Sequence, residues 1–387
     1  MRLPITRRNF LAVGAAAVGG LIAGGAVFLD RSEEPSEGDK LHVTPIALPK
    51  APIAARTGHS VTWTGSELAV WGGWNGDKAR PRYLTDGALY SPTTRLWRMM
   101  PKTSLSPRSE HLAVWSGSEL LIWGGDASGL LRDGAAYSPQ KNVWRALPDA
   151  PAELSAAEPH VHRGSIIFTP ARYRIPLGKP AVPLLVFDQQ NRRWRAIEGN
   201  GVHVIDIVSD SAGVVALTFD PSRNVLMTQR LDRGLARLER ATKLPLGSGV
   251  DSAGLLWNGT GLIGIFSEGG RSRMVELGDG VRWREVGRFS SRVFRSKAEL
   301  HGDRPPNRMW MASGRIWSAS SQGVAAYDPR TARLHSAPRT VAFAGGCPDN
   351  MTPVIAGNQL LMWGGRGCDG SVSEDDAIGM AVGLPTR

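Results

Sequence analysis

Residues 56–73 read RTGHSVTWTGSELAVWGG, and residues 107–125 read PRSEHLAVWSGSELLIWGG. A loop follows each, and then a second block: DGALYSPTTRLWRMMP at 86–101 and DGAAYSPQKNVWRALP at 133–148. One unit is written twice. His59, Trp71 and Gly72-Gly73 recur 52 positions on as His111, Trp123 and Gly124-Gly125, whereas Tyr90 and Trp97 recur 47 positions on as Tyr137 and Trp144. The loop inside the second copy is therefore five residues shorter. A period of about 50 residues, built from short β-branched and aromatic runs, predicts a radial array of four-stranded blades.

The unit explains why it must repeat. Val61–Trp63 and Leu68–Trp71 flank Thr64-Gly65-Ser66, a hairpin signal. Ala88–Tyr90 and Trp97–Met99 flank Ser91-Pro92-Thr93-Thr94, where Pro92 presets the φ of a type I turn. Gly72-Gly73 ends the second strand and permits positive φ and a close neighbouring backbone. A lone blade has two apolar faces and two open edges, so it is unstable alone. Stacking blades around an axis buries both faces and leaves only short edges.

The Gly-Gly after strand two, with the Tyr and Trp seven apart around the last turn, resembles the kelch family. The resemblance is strong over Arg56–Pro148 and again at Gly364-Gly365, and diffuse between. It implies an all-β propeller, and the segments of the chain set the expected count at seven blades.

The chain in order supplies the seven. His42–Pro52, HVTPIALPKAP, resembles the end of a blade with no beginning, and is expected to be the fourth strand of the last sheet. Two clear blades follow. Ser165–Phe168 and Phe187 to Trp194 mark blade three; Val204–Val208, Val214–Phe219, Leu231 and Leu238 mark blade four. Leu255–Ile263 with Leu277 and Trp283 marks blade five, and Met309–Met311, Arg315–Ser318, Tyr327 and Leu334 mark blade six. Val354–Gly365 and Ala377–Val382 supply three strands of blade seven. The propeller is thus expected over residues 42–385, closed by the N-terminal strand.

Residues 1–30 stand apart. Thr6-Arg7-Arg8-Asn9-Phe10-Leu11, ahead of the weakly apolar run Phe10–Val27, resembles the twin-arginine export signal of bacteria. Arg7 and Arg8 would be its recognition residues. The resemblance implies export of a folded protein to periplasm, wall or exterior, with residues 1–30 cleaved or kept as the sole membrane anchor. Residues 31–41 read as a polar linker.

The net charge is +11, and +9 once Arg2, Arg7, Arg8 and Asp30 are set aside. Arginines from Arg192 to Arg295 concentrate in blades three to five, which reads either as a solvated rim or as a sector attracting an anionic polymer. In an exported protein a wall or surface glycan is the expected polymer, not nucleic acid. The two cysteines, Cys347 and Cys368, lie 10 before and 11 after Gly357, the expected hairpin turn of blade seven. Those positions face each other in an antiparallel pair, and an oxidising compartment favours a bridge. A monomer with this bridge and no cofactor is expected.

Ligands of propellers meet the face made by loops entering strand one and leaving strand two. Arg56, Arg108 and Glu110 precede first strands there, and Trp74, Arg80 and their loop offer an aromatic platform with cationic donors. These five are the candidate ligand-binding residues. His59 and His111 recur in register, which argues for hydrogen bonds to a neighbouring loop rather than catalysis. His160 and His162 share a strand face, and with no third ligand legible a surface pair is expected rather than a metal site. Asp376 aligns with Asp86 and Asp133, each opening a third strand. Among kelch enzymes, galactose oxidase would need a Cys–Tyr pair around copper. Here Tyr90, Tyr137 and Tyr327 are repeat aromatics and both cysteines are assigned to the bridge. Two function classes fit: a non-catalytic module binding a protein or anionic glycan, and, as the alternative, a carbohydrate-active hydrolase, lyase or epimerase with its site on the axis. No nucleophile elbow, phosphate loop or zinc signature favours the second.

Overall fold

The computed structural model describes residues 40–43, 45–76, 81–154, 158–169, 183–199, 201–244, 250, 252–268, 271–278, 282–290, 309–320, 323–328, 331, 333–338, 353–365 and 379–383. Among these residues the chain is all β, with no α-helix. It forms a seven-bladed β-propeller, each blade a four-stranded antiparallel sheet. Six blades take all four of their strands from one continuous stretch each, beginning at Ser60, Leu112, Glu158, His203, Ser252 and Met309. In the seventh, Val354–Ala356, Gln359–Trp363 and Gly379–Gly383 are joined by Pro45–Ala47, which pairs with Met380–Val382. The Leu48 amide extends this edge by donating to the Gly379 carbonyl at 2.8 Å. Lys40 forms a bridge to Ser336 of blade 6, and Leu41 and Val43 are buried between blades 6 and 7.

Alternation along the second strand of each blade fixes the packing. In Leu68–Trp71, Leu68 and Val70 face blade 7 with Leu361 and Trp363, while Ala69 and Trp71 face blade 2 with Leu120 and Ile122. A strand of period two with both faces apolar serves two seams at once. The described apolar residues fall into seven clusters, one at each seam around the ring. Trp71, Trp123, Trp317 and Trp363, all on second strands, are fully buried in them.

The seven-residue aromatic spacing also has a geometric meaning. Tyr90 pairs across the last turn with Trp97, Tyr137 with Trp144 and Phe187 with Trp194. In all three pairs the ring centroids are 5.1 Å apart. Each of these Trp indoles reaches back one blade, donating to the carbonyls of Pro49 (2.8 Å), Pro101 (3.0 Å) and Pro148 (3.2 Å). The outer strands are thereby tied to one another in series.

The paired glycines tie the inner side. Gly72 and Gly73 have φ of 63° and 93°, and Gly124 and Gly125 have 63° and 94°. The second glycine of each pair donates its amide to the next blade: Gly365 to Arg56, Gly73 to Arg108 and Gly125 to Leu154. A Cβ on Gly73 would stand 2.7 Å from the Thr57 carbonyl oxygen, so no other residue fits there.

Cys347 and Cys368 lie outside the described residues, as do Arg7, Arg8 and Asp376.

Candidate functional site

The entrances of the first strands are built around arginine. Arg56 is completely buried, with Nη1 2.7 Å from Asp86 Oδ1 and Nη2 3.1 Å from Oδ2. Its remaining donors meet the carbonyls of Ala54 (2.8 Å) and Gly72 (3.2 Å). Arg108 repeats the arrangement on Asp133, at 2.8 Å to both carboxylate oxygens, with Gly124 at 3.1 Å. The guanidinium fork fixes the entry of strand one to the entry of strand three in the same blade. The Arg108 hydrogen bonds hold the Asp133 carboxyl below the usual carboxylate range. Asp86 and Asp133 thus share the strand-entry role that their alignment implied. The donors of Arg56 and Arg108 go to protein acceptors, not to the loop face.

His59 and His111 sit beside them and cross the seams. His59 Nε2 donates to the Trp363 carbonyl of blade 7 at 2.9 Å, and His111 Nε2 shares a 2.9 Å hydrogen bond with Ser60 Oγ of blade 1. Burial lowers the two imidazoles to about 4 and about 3, so both are neutral at ordinary pH.

Above this layer the loop face carries an extra element on blade 1. Trp74–Asn75 pairs with Arg82–Tyr83 as a two-stranded sheet outside the blade. The hairpin is anchored by reciprocal backbone bonds between Thr57 and Trp74 at 2.9 and 2.8 Å. Gly58 brings two sequence-selected residues together. A Cβ placed on it would lie 3.3 Å from Trp74 Cδ1 and 3.0 Å from Glu110 Oε1. The indole and the carboxylate therefore flank one bare patch of backbone. Glu110 is exposed at φ 51°, and Arg82 is exposed on the hairpin. Arg80 lies outside the described residues.

Among the described residues of blades 3 to 5, several arginines are paired with carboxylates and others stand exposed. Arg230 pairs with Asp210, Arg273 with Glu285 at 2.7 Å and Arg284 with Glu276 at 2.7 Å. Arg192 donates to the Ala146 carbonyl of the last strand of blade 2, and Arg195 to the Gly234 and Leu235 carbonyls of blade 4. Arg193, Arg233 and Arg237 are exposed. A separate cleft of about 380 Å³ opens on the outer rim between Pro101-Lys102 and Asn142–Ala146. Its Arg145 is paired with Glu119 at 2.9 Å, and Lys102 is exposed on its wall.

One grouping was not legible in the sequence. His160, on the first strand of blade 3, stands with Glu158 and with Asp206 from the first strand of blade 4. His162 takes a different partner, Ser209 Oγ at 3.1 Å. The two histidines of one strand face therefore do different work. Burial, reinforced by Glu158, raises the Asp206 carboxyl to about 8.

The fold and its loop face define a seven-bladed β-propeller. No family model and no curated protein matches the chain.

Proposed function

We propose that this chain is an exported, kelch-type propeller acting as a binding module, which holds a protein or an anionic glycan through its loop-rich face. The observation that carries this reading is the Trp74–Tyr83 hairpin. It belongs to no blade, and it carries the exposed Arg82 and the Trp74 indole, which flanks Gly58 together with the Glu110 carboxylate. A protein loop or a sugar ring stacks on such an indole, its hydroxyls or amides bond to the carboxylate, and acidic groups meet the arginine. Loops displayed on a rigid scaffold are where such binding is usually placed. Export by the twin-arginine route accords with Arg7-Arg8 ahead of Phe10-Leu11, and a wall or surface glycan is the anionic ligand met there.

The test is a retention screen of the protein on acidic and neutral cell-wall polymers and on extracellular protein extracts, at low and high salt. Retention on an acidic polymer, weakened by salt and lost in Trp74→Ala and Arg82→Gln, is the expected outcome. Retention unchanged in both variants would remove this face from consideration. Arg7→Lys combined with Arg8→Lys is expected to hold the protein inside the cell.

A further inference from the structure

We propose that Glu158, His160 and Asp206 form a binding site for one divalent transition-metal ion, of the zinc or manganese class, at the seam of blades 3 and 4. One ligating atom from each side chain lies within 4.8 Å of the others. The set is one imidazole nitrogen with two carboxylate oxygens, a donor mixture suited to first-row divalent ions and poorly suited to magnesium or calcium alone. Three protein ligands leave further positions on the ion for water or a bound group.

The backbone prepares each ligand. Glu158 and His160 are two apart on the strand Glu158–His162 and so share a face. Asp206 sits at a register shift, where Val204 and Asp206 pair with the adjacent residues Thr218 and Leu217 and Ile205 is the extra residue. Such a bulge re-aims the side chain that follows it. The Asp206 carboxylate is then pinned from two blades, accepting from the Ile207 amide at 2.8 Å and the Leu255 amide at 2.7 Å. Outer hydrogen bonds of this kind orient a metal ligand. Zinc holds nitrogen and oxygen donors at about 2.0–2.2 Å, hence roughly 3.4 Å from one another. Small rotations of the half-buried Glu158 and His160 close that difference around a fixed Asp206.

Charge points the same way. Two other carboxylates at strand entries, Asp86 and Asp133, each face a buried arginine. At this seam a buried carboxylate faces a second carboxylate, and among the described residues no lysine or arginine pairs with either. A divalent cation supplies the opposite charge in a seam otherwise walled by Ile167, Val204 and Ile207.

The experiment is equilibrium dialysis of the chelator-stripped full chain against zinc and manganese, with the metal content of the protein measured. Wild type, His160→Gln, Asp206→Asn and a control, His335→Gln, are compared, with circular dichroism as the check on folding. The wild type and the control are expected to retain one ion more per chain than His160→Gln and Asp206→Asn. Cobalt substitution is expected to give a visible absorption band that His160→Gln abolishes. Equal metal content in wild type and in folded His160→Gln would overturn the proposal, as would a wild type that retains no ion at about millimolar metal. Because His160 is only half-buried, that variant decides the matter even where Asp206→Asn fails to fold.

Discussion

Arg108 grips Asp133 through both carboxylate oxygens, each at 2.8 Å, from a position of complete burial. Truncating the arginine leaves the Gly124 and Ser106 carbonyls without their donor and removes the brace between two strand entries. Arg108→Met is expected to lower stability by about 3 kcal/mol, measured by denaturant unfolding. Asp133→Asn should cost less, since that side chain is half-exposed, and the double variant should fall short of the sum. Additive losses would show that the two groups are not coupled.

Trp97 donates its indole proton to the Pro49 carbonyl, just past the strand Pro45–Ala47. Trp97→Phe keeps the ring that faces Tyr90 and removes the donor. A loss of about 1 kcal/mol is expected. Amide exchange at Ile46 and Leu48 should accelerate more than exchange at Leu121 in blade 2. Uniform acceleration everywhere would mean that the bond does not hold the N-terminal strand in particular.

Arg95, Asn142 and Arg192 occupy the same place in the last turn of blades 1, 2 and 3, with φ of 56°, 55° and 53°. Asparagine tolerates that left-handed conformation better than arginine does. Arg95→Asn is therefore expected to stabilise the protein by about 0.5 kcal/mol, and Arg95→Gly by a similar amount. A fall in the unfolding midpoint for both would refute the strain argument.

His111 is buried neutral, its imidazole lowered to about 3 by burial. The unfolded chain, with an ordinary histidine pKa of about 6.5, takes up the proton first. The stabilising contribution is therefore complete above about 6.5 and declines as pH falls toward the folded value, by about 2 kcal/mol between pH 7 and pH 5. His59 adds a decline of the same sign, while Asp206, raised to about 8, contributes the opposite slope over that window. The readout is thus a difference between variants. His111→Gln should lose less stability than wild type on passing from pH 7 to pH 5, with chelator present in both. Parallel curves would show that His111 titrates normally in the folded protein.

The ring was legible because its two best copies carry its rules openly. Gly72-Gly73 and Gly124-Gly125 mark a backbone conformation that few residues adopt, and the seven-residue Tyr–Trp gap is the arithmetic of two strands around one turn. In blade 4 the same gap survives as Leu231 facing Leu238, aliphatic and easily overlooked. The strand expected to end at Val382 reaches Gly383, because strand ends are set by pairing partners rather than by local residue type. The candidate site was harder to see. Arg56 and Arg108 look like surface donors in sequence, and only the distant Asp86 and Asp133 reveal their employment. Trp74 and Glu110 flank one backbone patch because Gly58 has no side chain, which no spacing rule anticipates. Asp206 reaches Glu158 and His160 from a blade 46 positions later, through a bulge that leaves no mark in the sequence.

Pro45 pairs with Val382, 337 positions further along the chain. During synthesis the first six sheets can each assemble from neighbouring residues, while Pro45–Ala47 waits for the final stretch to be made. A growing polypeptide therefore passes through an unsealed arc, its apolar flanks at blades 1 and 6 open to water and to other chains. A chain stopped short of Gly379 is therefore expected to keep most of its sheets while Pro45–Ala47 lacks its partner strand.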